Sequence, residues 1–221
     1  MFSEEHLITF FSAYAYEPLI VYFFIIAMLT ASSFGLPIPE EVTLVSAGIV
    51  GYFALHPELY PPPTDMKANA INPWTLASVC FFAVLLSDYL IYNIGRFGGY
   101  RIRQSLRFGN YLQSPAFLKV HDLLHNHGIW MVGGFRFMPG LRFPAHLTCG
   151  MVGLPQWKFL LVDSIAVLIS VPTQVLLVAF YGDTILAHIK QFKVTILVIL
   201  LLIGIYFILR KTTLLSRLRR V

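Results

Sequence analysis

GFRFMPGLRFPAHLTCG, residues Gly134–Gly150, sets two arginines, Arg136 and Arg142, in an apolar segment broken at Pro139-Gly140 and again at Pro144. A proline inside a helix removes a backbone donor and clashes with the preceding turn, so the segment reads as short pieces rather than one crossing. Its counterpart lies upstream. FGLPIPEEVTLVSAG, residues Phe34–Gly48, places two carboxylates, Glu40 and Glu41, directly after Pro37 and Pro39. The apolar run then resumes to Leu55, too short to span a bilayer. Backbone broken at membrane depth leaves N–H and C=O groups that lipid cannot satisfy, and is tolerated only where protein or a water-filled cavity surrounds it. Both stretches are therefore predicted to be re-entrant arms, one carrying acids and the other guanidiniums.

Composition supports a membrane setting. Of 221 residues, 57% are hydrophobic and only 12% charged, about half the charged fraction of a soluble domain. The net charge of +5 does not indicate nucleic acid, because the basic residues flank apolar runs instead of forming an aromatic-interleaved basic face. Cys80 and Cys149 lie in apolar segments without metal-type or disulfide-type spacing. The N-terminus has no basic residue before its first apolar run, so no cleaved secretory signal is expected.

In chain order, Ser3–Tyr16 suits an amphipathic interfacial helix, and Leu19–Phe34 is a short apolar helix. His56–Pro73 is a proline-rich surface loop, and Trp74–Ile94 is a full membrane helix interrupted only by Asp88. Arg96–Lys119 is expected to be an amphipathic, loop-rich stretch ending in His121, Asp122, His125 and His127. Ile129–Met151 is the second arm, Trp157–Phe180 a membrane helix with a kink at Pro172, and Val194–Leu209 the last apolar helix before a basic tail.

Charge counting fixes the expected topology. Five of the 16 Lys and Arg lie in Arg96–Lys119 and five in Arg210–Arg220, and the positive-inside rule puts both groups in the cytoplasm. Two crossings separate them, so Ile129–Met151 must enter and leave by one face. The PIPEE arm then enters from the opposite face. Opposed arms of this kind mark an inverted repeat with a midplane site, as in many secondary transporters. The expected fold is an all-α integral membrane protein: an inverted repeat of two opposed re-entrant helical hairpins plus about four membrane-spanning helices. It forms a single domain over residues 1–221, with a core at about 30–180 and a last helix and basic tail over 190–221.

A charge at the bilayer centre costs about 2.5–3.5 kcal/mol on insertion scales, so these four must be paired or hydrated. Salt bridges that pin the arms together are the structural reading. A buried pair stabilises weakly, because desolvation offsets attraction, and a functional reading accounts better for two arginines. Their planar forks suit bidentate phosphate binding. A carboxylate removed from water takes up a proton more readily than an exposed one, which makes Glu40 and Glu41 candidate proton carriers.

The motifs resemble those of the DedA family, also described by its VTT or SNARE-associated domain. They are LPIPxE at Leu36–Glu41, the stretch Asp88, Tyr92, Gly95, Arg96 and Gly99, the run His121, His125, His127 and Gly128, and then Arg136, Pro139 and Arg142. The resemblance covers roughly residues 30–180. It implies a transporter or flippase for an anionic lipid (a phospholipid or a polyprenyl phosphate such as undecaprenyl phosphate) in the bacterial cytoplasmic membrane, driven by H+ or Na+, with a cytoplasmic C-terminus. On the family pattern Arg136 and Arg142 bind the phosphate and Glu41 is the coupling acid. The chain departs from the family in having Thr30, Ala31, Ser32 and Ser33 where a further acid is common, and Glu40 where glycine is usual.

Asp88, Arg96, Pro37, Pro39, Pro139 and Gly140 are supporting candidates, and Asp163 and Gln174 are candidates to line the cavity. His121 and His125 have an i, i+4 spacing that could serve a metal, but solvated polar residues are the commoner case, and no metal or cofactor is expected. No histidine stands out beside the arginine pair, so a transporter is expected rather than an intramembrane enzyme on a phosphorylated lipid or an assembly factor. The oligomeric state is open, a homodimer included.

Overall fold

A computed structural model describes residues 14–34, 39–62, 69–104, 115–138 and 141–184. The described residues are helical, with no strand among them. Pro18–Ser33 (α1) begins with proline at its first position, where the missing N–H would have had no partner. Pro39, in extended backbone conformation, caps Glu40–Leu55 (α2). Pro73–Gln104 (α3) is capped by Asn72, whose Oδ1 accepts from the backbone N–H of Trp74 at 2.8 Å.

α3 is longer than the expected crossing. Its apolar part runs over Pro73–Gly99, and it continues as helix through Arg96, Arg101 and Arg103, where a loop-rich stretch is expected from the sequence. Arginine is a good helix former, and two of the three glycines in this region, Gly95 and Gly99, pack against Leu147 and Met151. Pro115–His127 (α4) follows, then a chain of short turns: 3-10 at Gly128–Trp130, Met131–Gly134 (α5) and 3-10 at Phe135–Phe137. Arg142–Met151 (α6) closes the second arm. Pro144 does not break it, contrary to expectation, because it stands in the first turn, where no intrahelical bond is lost.

Gln156–Thr184 (α7) is the second helix long and apolar enough to cross a membrane, and Pro172 does not end it. Residues 3–13 of the expected N-terminal interfacial helix, the helix at Val194–Leu209, the basic tail, Pro37, and Pro139-Gly140 lie outside the described residues.

Polarity is distributed for lipid. Leu19, Phe23, Phe82, Leu86, Leu168 and Ile169 are exposed, while Asp88, His146 and Asp163 are wholly buried. α6 and α3 cross at backbone contact: a Cβ on Gly95 would collide with the Leu147 carbonyl, and one on Gly150 with the Tyr92 carbonyl and the Arg96 amide. This glycine seam sets Arg142 and His146 of α6 against Asp88 of α3.

Candidate functional site

Three short elements and two long helices converge on one buried charged cluster. Asp88 projects from the middle of α3, Glu40 from the first turn of α2, Arg136 from the 3-10 turn at Phe135–Phe137, and Arg142 from the start of α6. Arg136 uses every arm of its fork: Nη2 donates to Glu40 Oε1 at 2.5 Å, Nη1 to Asp88 Oδ2 at 3.4 Å, and Nε to Ser170 Oγ of α7 at 2.6 Å. Arg142 grips Asp88 through Nη2 to both oxygens at 2.7 Å and through Nε to Oδ1 at 3.0 Å, and its Nη1 contacts Glu40 Oε2. Both side chains are nearly enclosed, at 5% and 15% exposure.

The two arginines are thus brought together and fully occupied. Charge-assisted bidentate contacts of this kind are among the strong ones. Removing one partner of such a buried pair leaves an uncompensated charge, at a cost of about 3–5 kcal/mol.

Two sequence expectations change, and one supporting candidate takes a central place. Of the adjacent acids it is Glu40 that meets both arginines, while Glu41, the acid singled out by the family pattern, is exposed on the other side of α2. Consecutive residues lie about 100° apart on a helix, so only one can face inward. Asp88, a supporting candidate from the sequence, is the carboxylate that both arginines share, and Arg96 stands outside the cage. Arg96 Nη1 instead donates to the Tyr92 hydroxyl at 2.7 Å and to the Leu154 carbonyl at 3.3 Å, near the end of the α3–α6 crossing. A histidine does stand beside the arginine pair: His146, one helical turn after Arg142.

His146 Nδ1 lies 3.2 Å from Asp88 Oδ1, and its Nε2 lies 3.8 Å from Asp163 Oδ1 of α7. Neither ring nitrogen, nor either oxygen of Asp163, has a hydrogen-bond partner among the described residues. Asp88, His146 and Asp163 are also the group of ligand-type side chains that the described residues place close enough for a metal ion. His121, His125 and His127 form no such group there. They sit on exposed positions of α4, where His121 Nδ1 and the neighbouring Asp122 approach only to 3.8 Å. Pro39 is exposed at the start of α2.

Comparison with known proteins places this cluster in a family. The VTT domain, which defines the DedA family, matches residues 38–184, a span that holds every member of the cluster. The chain belongs to the DedA family of membrane proteins. An uncharacterized membrane protein of Haemophilus influenzae is 30% identical over 169 residues, covering 76% of this chain and 71% of the relative. Another, from Mycobacterium tuberculosis, is 28% identical over 191 residues, 85% of this chain and 81% of its own. Bacillus subtilis YkoX, also an uncharacterized membrane protein, shares 35% identity over 80 residues, 35% of each chain. No solved structure gives a significant match. Within this DedA protein the arginine pair, Asp88 and Glu40 form a closed ionic cage at the junction of the two arms.

Proposed function

We propose that this DedA protein translocates a phosphate-bearing lipid, a polyprenyl phosphate or a phospholipid, across a bacterial cytoplasmic membrane, with Arg136 and Arg142 as its phosphate ligands. The observation that carries the proposal is the meeting of two buried guanidiniums on a broken arm, each with its fork directed at a carboxylate. A phosphate offers the same bidentate acceptor geometry as the carboxylates now bound. Exchange of one anion for another then lets substrate enter without exposing a bare charge to lipid. Glu40, at the end of α2, is the carboxylate that gives way, and its proton affinity is one route for coupling to a proton gradient; Glu41 remains a candidate for ion capture on the outer side of α2.

Two features support a lipid substrate over a free anion. α2, at 16 residues, and α6, at 10, rise about 24 and 15 Å, less than the roughly 30 Å hydrocarbon core. On this reading they are opposed re-entrant arms that end at the midplane, and the C-terminus is cytoplasmic. An apolar groove of about 380 Å³ between α1 and α2, lined by Val21, Phe24, Met28, Val42, Thr43 and Ala47, runs up to the turn that bears Glu40 and has the lining a hydrocarbon tail requires.

His146 beside the arginines favours a second reading, an intramembrane enzyme with a histidine acting on a phosphorylated lipid. One assay separates the two. In proteoliposomes, wild type is expected to move fluorescent undecaprenyl phosphate between leaflets without releasing inorganic phosphate. Arg142→Lys, which keeps the charge but loses the fork, should slow translocation by about tenfold or more, the equivalent of one charge-assisted bond. Unchanged translocation in Arg142→Lys and in Arg136→Ala would sink the assignment, and stoichiometric phosphate release would favour the enzyme.

A further inference from the structure

The arginine cage leaves one part of the buried cluster unexplained. Asp163 is a wholly buried carboxylate, yet neither guanidinium forms an ion pair with it, and among the described residues its ion-pair contact is His146 Nε2 at 3.8 Å. His146 is equally buried, and its two nitrogens face two different carboxylates, Asp88 on α3 and Asp163 on α7. With the ring neutral, three carboxylates (Glu40, Asp88 and Asp163) face two guanidiniums (Arg136 and Arg142), leaving one negative charge in excess. A buried net charge is expensive. One added proton removes the excess.

We infer that His146 and Asp163 form a proton-binding pair that controls how tightly Asp88 holds the arginines. The ring's two ends decide the chemistry. A neutral imidazole has one N–H and one lone pair. Asp88 is already neutralised by two arginines and Asp163 by none. With Asp163 ionised, the single proton therefore goes to Nε2, facing Asp163, although Nδ1 makes the shorter approach, and Nδ1 turns a lone pair towards Asp88 Oδ1 at 3.2 Å. That contact is repulsive and pushes Asp88 onto Arg142 and Arg136. When the pair takes up a proton from water, Nδ1 becomes a donor to Asp88, whether the added proton resides on Asp163 or on the ring. His146 then competes with Arg142 for the same oxygen, Asp88 Oδ1. The arginines loosen and can accept another anion.

The groups facing the pair from the packed elements are Asp88 from α3, Arg136 from the 3-10 turn, Asp163 from α7 and, on α6 itself, Arg142 and Cys149. Glu40 of α2 acts through the arginines. A metal ion fits the arrangement less well than a proton. One ion could engage only one face of the ring, and Asp88 is already bound by two cations.

The step from proton binding to transport rests on the function proposed above. Loading with a proton frees the arginines, so proton and lipid phosphate bind together, and by linkage each strengthens the other.

Two measurements test the inference separately. The first needs no substrate: nitrogen NMR of histidine-labelled protein in nanodiscs, with the His146 signal assigned by its absence in His146→Gln. The His146 ring should show a single titration step shared with Asp163. In Asp163→Asn that step should move to lower pH by about one unit or more, or vanish, because the carboxylate that holds the proton is gone. Asp163→Glu should restore it, which separates the effect from misfolding. A His146 signal that does not titrate, or titrates identically in Asp163→Asn, overturns the pair, as does a stoichiometric metal ion in purified protein that is lost in His146→Gln. The second is the pH profile of fluorescent undecaprenyl phosphate translocation, which should flatten in His146→Gln. An unchanged profile refutes the coupling while leaving lipid translocation standing. No translocation by wild type at any pH refutes the transport reading, and the NMR result still decides the proton pair.

Discussion

The two broken arms carry opposite charges at the same helical position, and that position treats them unequally. α2 opens with Glu40 and Glu41 and α6 with Arg142. A helix N-terminus carries partial positive charge, which favours an acid in the first turn and opposes a cation by a similar amount, about 0.3–1 kcal/mol. Glu40 is therefore in a favourable place before it meets any partner. Arg142 is not, and is held there by Asp88, which accepts from it through both oxygens. Packing follows the same division. Every residue of α6 from Pro144 to Gly150 is buried, and the helix meets α3 at backbone contact, whereas α2 exposes Glu41, Val42 and Ser46 along its outer face. The α6 arm is the more enclosed of the two. The α2 arm is the one with room to withdraw its carboxylate.

The largest way to break this contrast is at the glycines. Gly150→Ala drives a methyl group into the Tyr92 carbonyl and the Arg96 amide, so the α3–α6 crossing must open, and a loss above about 3 kcal/mol is expected. Gly48→Ala on α2 meets mainly the Val178 side chain of α7, together with the Val175 carbonyl, and should cost about 1–3 kcal/mol. Chemical unfolding in detergent measures both, and equal losses would contradict the distinction between a more enclosed and a yielding arm.

A second series of substitutions sharpens the contrast at the charges. Asp88→Ala strips the shared partner from both arginines and should destabilise by about 3–5 kcal/mol. Glu40→Ala leaves both arginines on Asp88 and should cost about 1–3 kcal/mol. Glu41→Gln, at an exposed position, should stay within about 0.5 kcal/mol. The order Asp88, Glu40, Glu41 in thermal or chemical stability is the prediction; a larger loss at Glu41 than at Glu40 would show that α2 is rotated relative to this account.

Much of this arrangement was legible in the sequence because lipid punishes exceptions. Prolines beside charges in an apolar run are exceptional, and that drew attention to Glu40, Glu41, Arg136 and Arg142. The rotation of α2 was not legible: neighbouring acids differ by about 100° in direction, and nothing local selects which one faces inward. Reading Glu41 from the family pattern therefore selected the acid that faces away from the arginines. Pro144 was misread for a related reason, since a proline breaks a helix only beyond its first turn, and the start of α6 depends on where Arg142 is anchored.

His146 was overlooked although its signal was present. It follows Arg142 by four residues, the spacing that places two side chains on one helix face. The denser run at His121, His125 and His127 drew attention instead. Asp163 could not be ranked above Gln174 from sequence, because its importance comes from facing His146 across two helices that are neighbours only in three dimensions.

The central claim is that Arg136 and Arg142 exchange Glu40 for a lipid phosphate. The most direct measurement is a cryo-EM map of the full chain in nanodiscs containing undecaprenyl phosphate. The account predicts phosphate density between the two guanidiniums, with Glu40 withdrawn and Asp88 still bound to Arg142 or turned towards His146. Intact Arg136–Glu40 and Arg142–Glu40 pairs, with the lipid bound elsewhere, would contradict it.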